Sequence, residues 1–215
     1  MFRKLGGLSI PNPYFWICLW MGMNAPAFAE DQPNPLCFDL SQPNSRLLRP
    51  GPKTKADWGS GEYGTDEKTG FEWARVSGIV EKPVSRVLEI LQDPMTTRDP
   101  KTTQVTSTLV PVKGTLQKQH IQIVVKPFFL ITLEWEEDWL YTLKKGTPAR
   151  PDTIVISYQK TSGTSHIQHF CGNILIQRLS RTQTGVYLTE EIKADRRSAE
   201  DVHNGLMGTL RTLQK

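Results

Sequence analysis

The chain has 215 residues, with 26 lysines and arginines against 22 aspartates and glutamates and a net charge of +4. That length suits one domain with a sizeable core. Its charges are interspersed rather than gathered into a basic arm, so no nucleic-acid partner is expected.

The chain opens with the basic "MFRK", the apolar "YFWICLWMGM" and the small-residue "AFA". This order predicts a secretory signal over residues 1–29, cut between Ala29 and Glu30. An uncleaved anchor is disfavoured, because Pro11, Asn12 and Pro13 cut the apolar run short of a bilayer span. Export to the periplasm or the medium is therefore expected. Cleavage removes Arg3 and Lys4 and leaves a slightly basic chain with no later apolar stretch of spanning length. Cys18 leaves with the signal, so Cys37 and Cys171 remain as a disulfide candidate; two free, buried thiols are the alternative.

Residues 30–70 are broken by Pro33, Pro35, Pro43, Pro50, Pro52, Gly59, Gly61, Gly64 and Gly70, and no period survives across them. They read as a loop-rich N-terminal extension, with Trp58 and Tyr63 as its docking points. From Phe71 "FEWARVSGIV" carries β-branched and aromatic residues at strand density, predicting a strand to about Glu81. Pro83 then suits a helix start, and Val84, Val87, Leu88 and Leu91 fall on one helical face. Asp93-Pro94 ends that helix.

Strands follow at about 103–112, 115–125, 128–142, 153–160, 165–179 and 186–194, separated by turn signals that include Gly146 to Pro151. Their short connections favour an antiparallel meander. A final helix is expected from Ser198 to about Leu213, capped by Ser198 and Asp201. Val202, Leu206, Leu210 and Leu213 line one face of it. Gly205 and Gly208 thin the same helix, which either allows close approach to a sheet or leaves room beneath it.

The order of these elements resembles the START-like, helix-grip superfamily, which includes the pollen-allergen fold, polyketide cyclase/aromatase domains and lipid-transfer START domains. The resemblance covers Phe71 to the C-terminus, residues 71–215. "GIVEKPVSRVLEILQDP" is similar to the family's first strand and helix, with Asp93 at the family's aspartate and Leu88 where an aromatic is common. "CGNILIQRLSRTQTGVYLTEEIKAD" is similar to its last hairpin. A tryptophan often found after the first helix is missing from "MTTRDPKTT". The resemblance implies an α+β fold: a curved antiparallel sheet of about six to seven strands around a long C-terminal helix, with a short helix after the first strand. It also implies a sheet–helix cavity, which in this family takes sterols, phospholipids, fatty acyl groups, polyketides or plant hormones.

"PFFLITLEWEEDWLYTL" holds the most chemical information. Phe129, Ile131, Leu133, Trp135, Trp139 and Tyr141 alternate, so they share one strand face, with Glu137 among them. Either this is a core strand whose Glu137 is paired or displaced by a bulge, or it is a cavity wall with one carboxylate. Under the resemblance, Ile156, Tyr158, Val202, Leu206 and Leu210 also line the cavity, and Arg75, His120 and Glu137 are head-group contacts.

His120 and His166 are read as pointing into the concave side or as ordinary hydrogen-bonded histidines. His166 and His169 fall on opposite faces of a regular strand, and no "HExxH" or Cys/His cluster appears, so neither metal nor cofactor is expected. His169 and Cys171 share a face, but an exported cysteine with a partner is more often a disulfide. There is no "GxSxG" elbow and no phosphate loop.

The expected function is binding or carrying a lipid or other hydrophobic small molecule, with transient membrane contact. A cyclase/hydrolase-type enzyme using Glu137 as its acid–base group is the alternative. So is a protein-interaction domain whose cavity is filled.

Overall fold

The computed structural model describes residues 59–96, 102–111, 115–128, 131–195 and 197–215. The expected signal, most of the extension (Trp58 and Cys37 included) and Phe129 lie outside these residues, and Ile131 is described by its backbone alone.

In chain order the elements are β1 (Gly61–Thr65), β2 (Glu72–Val80), α1 (Val84–Gln92), β3 (Thr102–Val110), β4 (Gln117–Phe128), β5 (Ile131–Thr147), β6 (Arg150–Gly163), β7 (Ile167–Arg178), β8 (Thr184–Ala194) and α2 (Ala199–Gln214). The strands form one curved sheet in the order β1-β2-β8-β7-β6-β5-β4-β3, with every neighbouring pair antiparallel. After β2 the chain passes through α1 to the opposite edge, then returns strand by strand until β8 lies beside β2. The sheet has 8 strands where about six to seven were expected. The added strand is β1, which pairs Gly61–Thr65 with Val76–Glu72. Its residues carry no apolar alternation, since a short edge strand is held by backbone bonds to its neighbour rather than by burial.

Two boundaries also move. The β5–β6 connection, expected as a broad turn from Gly146 to Pro151, is a tight hairpin in which Gly146 pairs with Pro151 and Thr147 with Arg150. Gly146 allows this because it takes φ 95, a left-handed backbone that costs glycine nothing. Helix α1 starts at Val84, with Pro83 before it in an extended conformation at ψ 155.

Both helices pack on one face of the sheet, here the inner face. Val84, Val87 and Leu91 of α1 and Val202, Leu206, Leu210 and Leu213 of α2 are buried against Val76, Ile121, Ile154, Ile156, Ile174 and Leu188. Full burial of an aliphatic side chain contributes about 1.5–3 kcal/mol. Four such residues on α2 therefore outweigh its two glycines, which cost about 1 kcal/mol each. The N-terminus of α2 is closed by a capping box: Ser198 Oγ accepts from the Asp201 amide at 3.2 Å, and the Asp201 carboxylate accepts from the Ser198 amide at 3.0 Å. Among the described residues no helix is long and apolar enough to cross a membrane.

Candidate functional site

Between the inner face and α2 lies a cavity of about 440 Å³. Its walls come from β5 (Trp135, Glu137, Trp139), β6 (Tyr158), β7 (Ile167, Phe170, Ile174), β8 (Leu188, Glu190, Ile192) and α2 (Gly205, Leu206, Gly208, Thr209), with Arg197 just before the helix.

Strand alternation places Trp135, Glu137 and Trp139 side by side on this face. The backbone keeps that phase through a bulge, because the extra residue, Thr161, lies on β6: Glu136 pairs with Ser162, and Glu137 pairs with Lys160. Glu137 has no exposed surface. Its Oε1 accepts from the Trp135 indole N–H at 2.7 Å and its Oε2 from the Trp139 indole N–H at 2.8 Å. A buried carboxylate is tolerated only when hydrogen-bonded or paired, and the two indoles hold both oxygens in fixed positions. Lys160, directly opposite in register, is also buried and donates to the Gly163 carbonyl at 3.3 Å.

A second carboxylate stands further along the wall. The Tyr158 hydroxyl donates within reach of Glu190 Oε2 at 3.1 Å and of the Thr189 carbonyl at 3.3 Å. The signal that singles out Glu137, an acid in an apolar alternation, also stands in β8, where Glu190 lies between Leu188 and Ile192. The remaining walls could be read from sequence only in part, because Phe170 and Ile174 come from a strand whose inward phase depends on its pairing.

Of the residues expected at the cavity, Trp135, Glu137, Trp139, Tyr158 and Leu206 line it together. Tyr141, Ile156, Val202 and Leu210 are buried on the same side but belong to the solid core. There the Tyr141 hydroxyl donates to Gln119 at 2.8 Å. Leu133 is half-buried and is not a wall residue.

Arg75 and His120 require correction, since both point to the outer face. In β2 the inner positions are Ala74 and Val76, so Arg75 faces outward, where it pairs with Glu62 at 2.9 Å and lies 4.7 Å over the Trp73 ring. In β4 the inner positions are Ile121 and Ile123, so His120 faces outward and bonds Asp138 at 2.9 Å. His166 lies in the turn before β7, exposed, and bonds Asp195 at 2.8 Å. Tyr63 packs its ring on His203 of α2, with centroids 5.0 Å apart.

The outer face of β7 presents His169 and Cys171. His169 bonds Glu191 at 2.9 Å and stacks on Phe71 at 4.1 Å. These three side chains, His169, Cys171 and Glu191, place ligand-type atoms within 4.8 Å of one another. Cys171, however, is disulfide-bonded, so in this state its sulfur is not the thiolate a metal would take. The only other cysteines in the chain are Cys18 and Cys37, and both lie outside the described residues. Because Cys171 is on the outer face while Phe170 and Ile174 line the cavity, a crosslink there anchors the back of the sheet.

An antiparallel sheet holding a C-terminal helix on its inner face, with a cavity between them and one short helix after the leading hairpin, is the START-like, helix-grip (SRPBCC) fold. The chain is similar to the human StarD13 lipid transfer and protein localization domain, at 11% identity and TM-score 0.50, over 69% of this chain and 78% of that one. It is also similar to a STAR-related lipid transfer protein from Xanthomonas axonopodis (15% identity, TM-score 0.47, 72% of this chain and 96% of that one). A third similar structure is the Zhui aromatase/cyclase from a Streptomyces species (18% identity, TM-score 0.41, 66% of this chain and 86% of that one). No family model and no curated protein matches the sequence.

Proposed function

We propose that this protein is an exported binding protein that holds one hydrophobic small molecule or lipid in the sheet–helix cavity and carries it through an aqueous compartment. The observation that supports this reading is the cavity itself. At about 440 Å³ it lies within the range of about 300–1,000 Å³ seen for small-ligand sites. Aromatic and aliphatic side chains make the larger part of its wall, and Glu137, Glu190, Arg197, Asn204 and several threonines add polar groups. Burial of apolar ligand surface at about 25 cal/mol per Å² supplies the affinity. Glu190, only part-buried in the same wall, then orients the polar end.

The same geometry weighs against Glu137 as a general base, because each of its oxygens already accepts an indole N–H. Lipid transfer, the activity in the name of the human StarD13 domain, agrees with this reading, which rests on the cavity alone. Cleavage after Ala29 and transient membrane contact during loading belong to the same proposal.

The test is native mass spectrometry, with organic extraction, of protein purified from the exported fraction. An apolar molecule that leaves in the solvent phase is expected, on a chain beginning at Glu30. A chain that is retained in the cytosol would sink the export part. A chain that stays empty even after incubation with a total lipid extract would sink the binding part.

A further inference from the structure

We propose that the outer face of the sheet carries a redox-gated metal site. Reduction of the Cys171 disulfide frees a sulfur that, together with His169 and Glu191, takes a thiophilic divalent cation of the zinc type. Three strands build the place. Cys171 of β7 pairs in register with Gln159 of β6 on one side and with Glu191 of β8 on the other. His169 lies two residues along β7, on the same face. Its Nε2 stands 3.5 Å from Cys171 Sγ and 2.9 Å from Glu191 Oε1.

These spacings suit the ion. Tetrahedral zinc holds sulfur at about 2.3 Å and imidazole nitrogen at about 2.0 Å, which sets the two ligands about 3.5 Å apart. Cys171 and His169 already have that spacing. The His169–Glu191 spacing is that of a hydrogen bond, and has to widen by only a few tenths of an ångström. Phe71, stacked on His169 at 4.1 Å, fixes the orientation of the imidazole. Thiolate, imidazole and carboxylate together make a zinc-type donor set rather than the all-oxygen set of magnesium or calcium. His169 and Cys171 are buried, while the Glu191 side chain keeps 29% exposure, so an ion enters on the β8 side.

Gln159 gives an independent sign. It is buried, and among the described residues neither the nitrogen nor the oxygen of its amide has a hydrogen-bond partner. Buried amides are ordinarily satisfied, and an orphan calls for a bound group or a second state. A metal-bound Cys171 thiolate, directly opposite in register, is an acceptor for that amide N–H, as outer donors to metal ligands commonly are. The redox step balances with a dithiol donor. The donor passes two electrons and two protons to the disulfide and becomes a disulfide itself, leaving Cys171 and its former partner as thiols. The entering ion then displaces the Cys171 thiol proton to solvent, and the imidazole proton resides on Nδ1 while Nε2 binds. Water takes the fourth position.

The test titrates cobalt(II) into the mature protein, oxidised or reduced by a phosphine that is then removed without oxygen. The phosphine supplies the two electrons and ends as its oxide, with oxygen from water. Tetrahedral cobalt shows visible bands, and a cobalt–thiolate charge-transfer band reports the sulfur. The reduced protein is expected to bind one cobalt with a Kd on the order of 1 μM, and the oxidised protein at least about a hundredfold more weakly. His169→Ala and Glu191→Gln are each expected to weaken binding to the reduced protein by at least about tenfold. Glu191→Gln keeps the side chain's shape, so its result stands even where His169→Ala fails to fold. Equal binding in the two redox states, a spectrum without the thiolate band, or unchanged affinity in Glu191→Gln each overturn the site. So does a disulfide that survives the phosphine in the folded protein, or a reduced chain whose circular dichroism shows the sheet lost.

Discussion

Leu210 of α2 sits in the notch left by Gly78 of β2, so closely that a Cβ on Gly78 would stand 2.6 Å from Leu210 Cδ2. This is where the helix docks on the sheet. Gly78→Ala is expected to destabilise the protein by about 1–3 kcal/mol through overpacking. Gly208→Ala, on the same helix but facing open space, is expected to stabilise it by up to about 1 kcal/mol. Urea denaturation of the two variants checks the contrast, and equal effects would mean that the helix does not rest on β2 at this point.

Glu137→Gln removes one acceptor from a site with two donors. An amide offers one oxygen and brings an NH₂ group to face the second indole N–H. We expect a loss of about 1–3 kcal/mol in stability. In the amide proton spectrum, one of the Trp135 and Trp139 indole N–H signals should shift strongly while the other stays near its wild-type position. Unchanged indole signals would refute the two-indole grip.

Peptide mapping without reduction should recover Cys171 linked to Cys37. Loop entropy for so long a closed segment makes that bond worth on the order of 4 kcal/mol, so reduction should lower the denaturation midpoint clearly. A Cys18-linked peptide would show instead that the leader is retained.

Acid should loosen the first turn of α2 before the sheet. The Asp201 carboxyl titrates below its ordinary 3.8, mainly because the Ser198 hydroxyl donates to it and secondly because the Ser198 amide does. A carboxyl lowered in the folded state contributes stability that is fully present above its unfolded value and is lost as pH falls through its folded value. Hydrogen exchange at the amides of residues 199–202 should therefore speed up below about pH 4 relative to the rest of the helix, allowing for the intrinsic rate. Asp201→Asn, which removes the titrating carboxyl, should abolish that pH dependence. Its persistence in the variant would reject the cap as the cause.

Much of this architecture was legible along the chain, and the reasons differ by element. Helix α1 announced itself through Val84, Val87 and Leu91, because burial of one face imposes a period on the sequence. The cavity wall of β5 was legible for the same reason, with Trp135, Glu137 and Trp139 in alternation. Strand β1 was not legible, because its place depends on backbone pairing with β2, which leaves no mark on side-chain polarity. Arg75 and His120 were assigned to the cavity from residue type, and each strand's apolar neighbours decide otherwise: Ala74 with Val76, and Ile121 with Ile123. The meeting of Tyr158 with Gly172 was beyond local reading altogether, since it needs the β6–β7 register, in which the two residues are paired.

The position of Cys171 has a consequence for how the molecule can be altered. Odd-numbered residues near the middle of β7 face away from the cavity, and even-numbered residues face it. The disulfide and the cavity wall therefore belong to opposite sides of a single strand. A change that strengthens or removes the covalent tie need not alter the cavity wall, and a change in the wall need not disturb the tie. Covalent anchoring and cavity shape are thus two independently adjustable properties of one short segment.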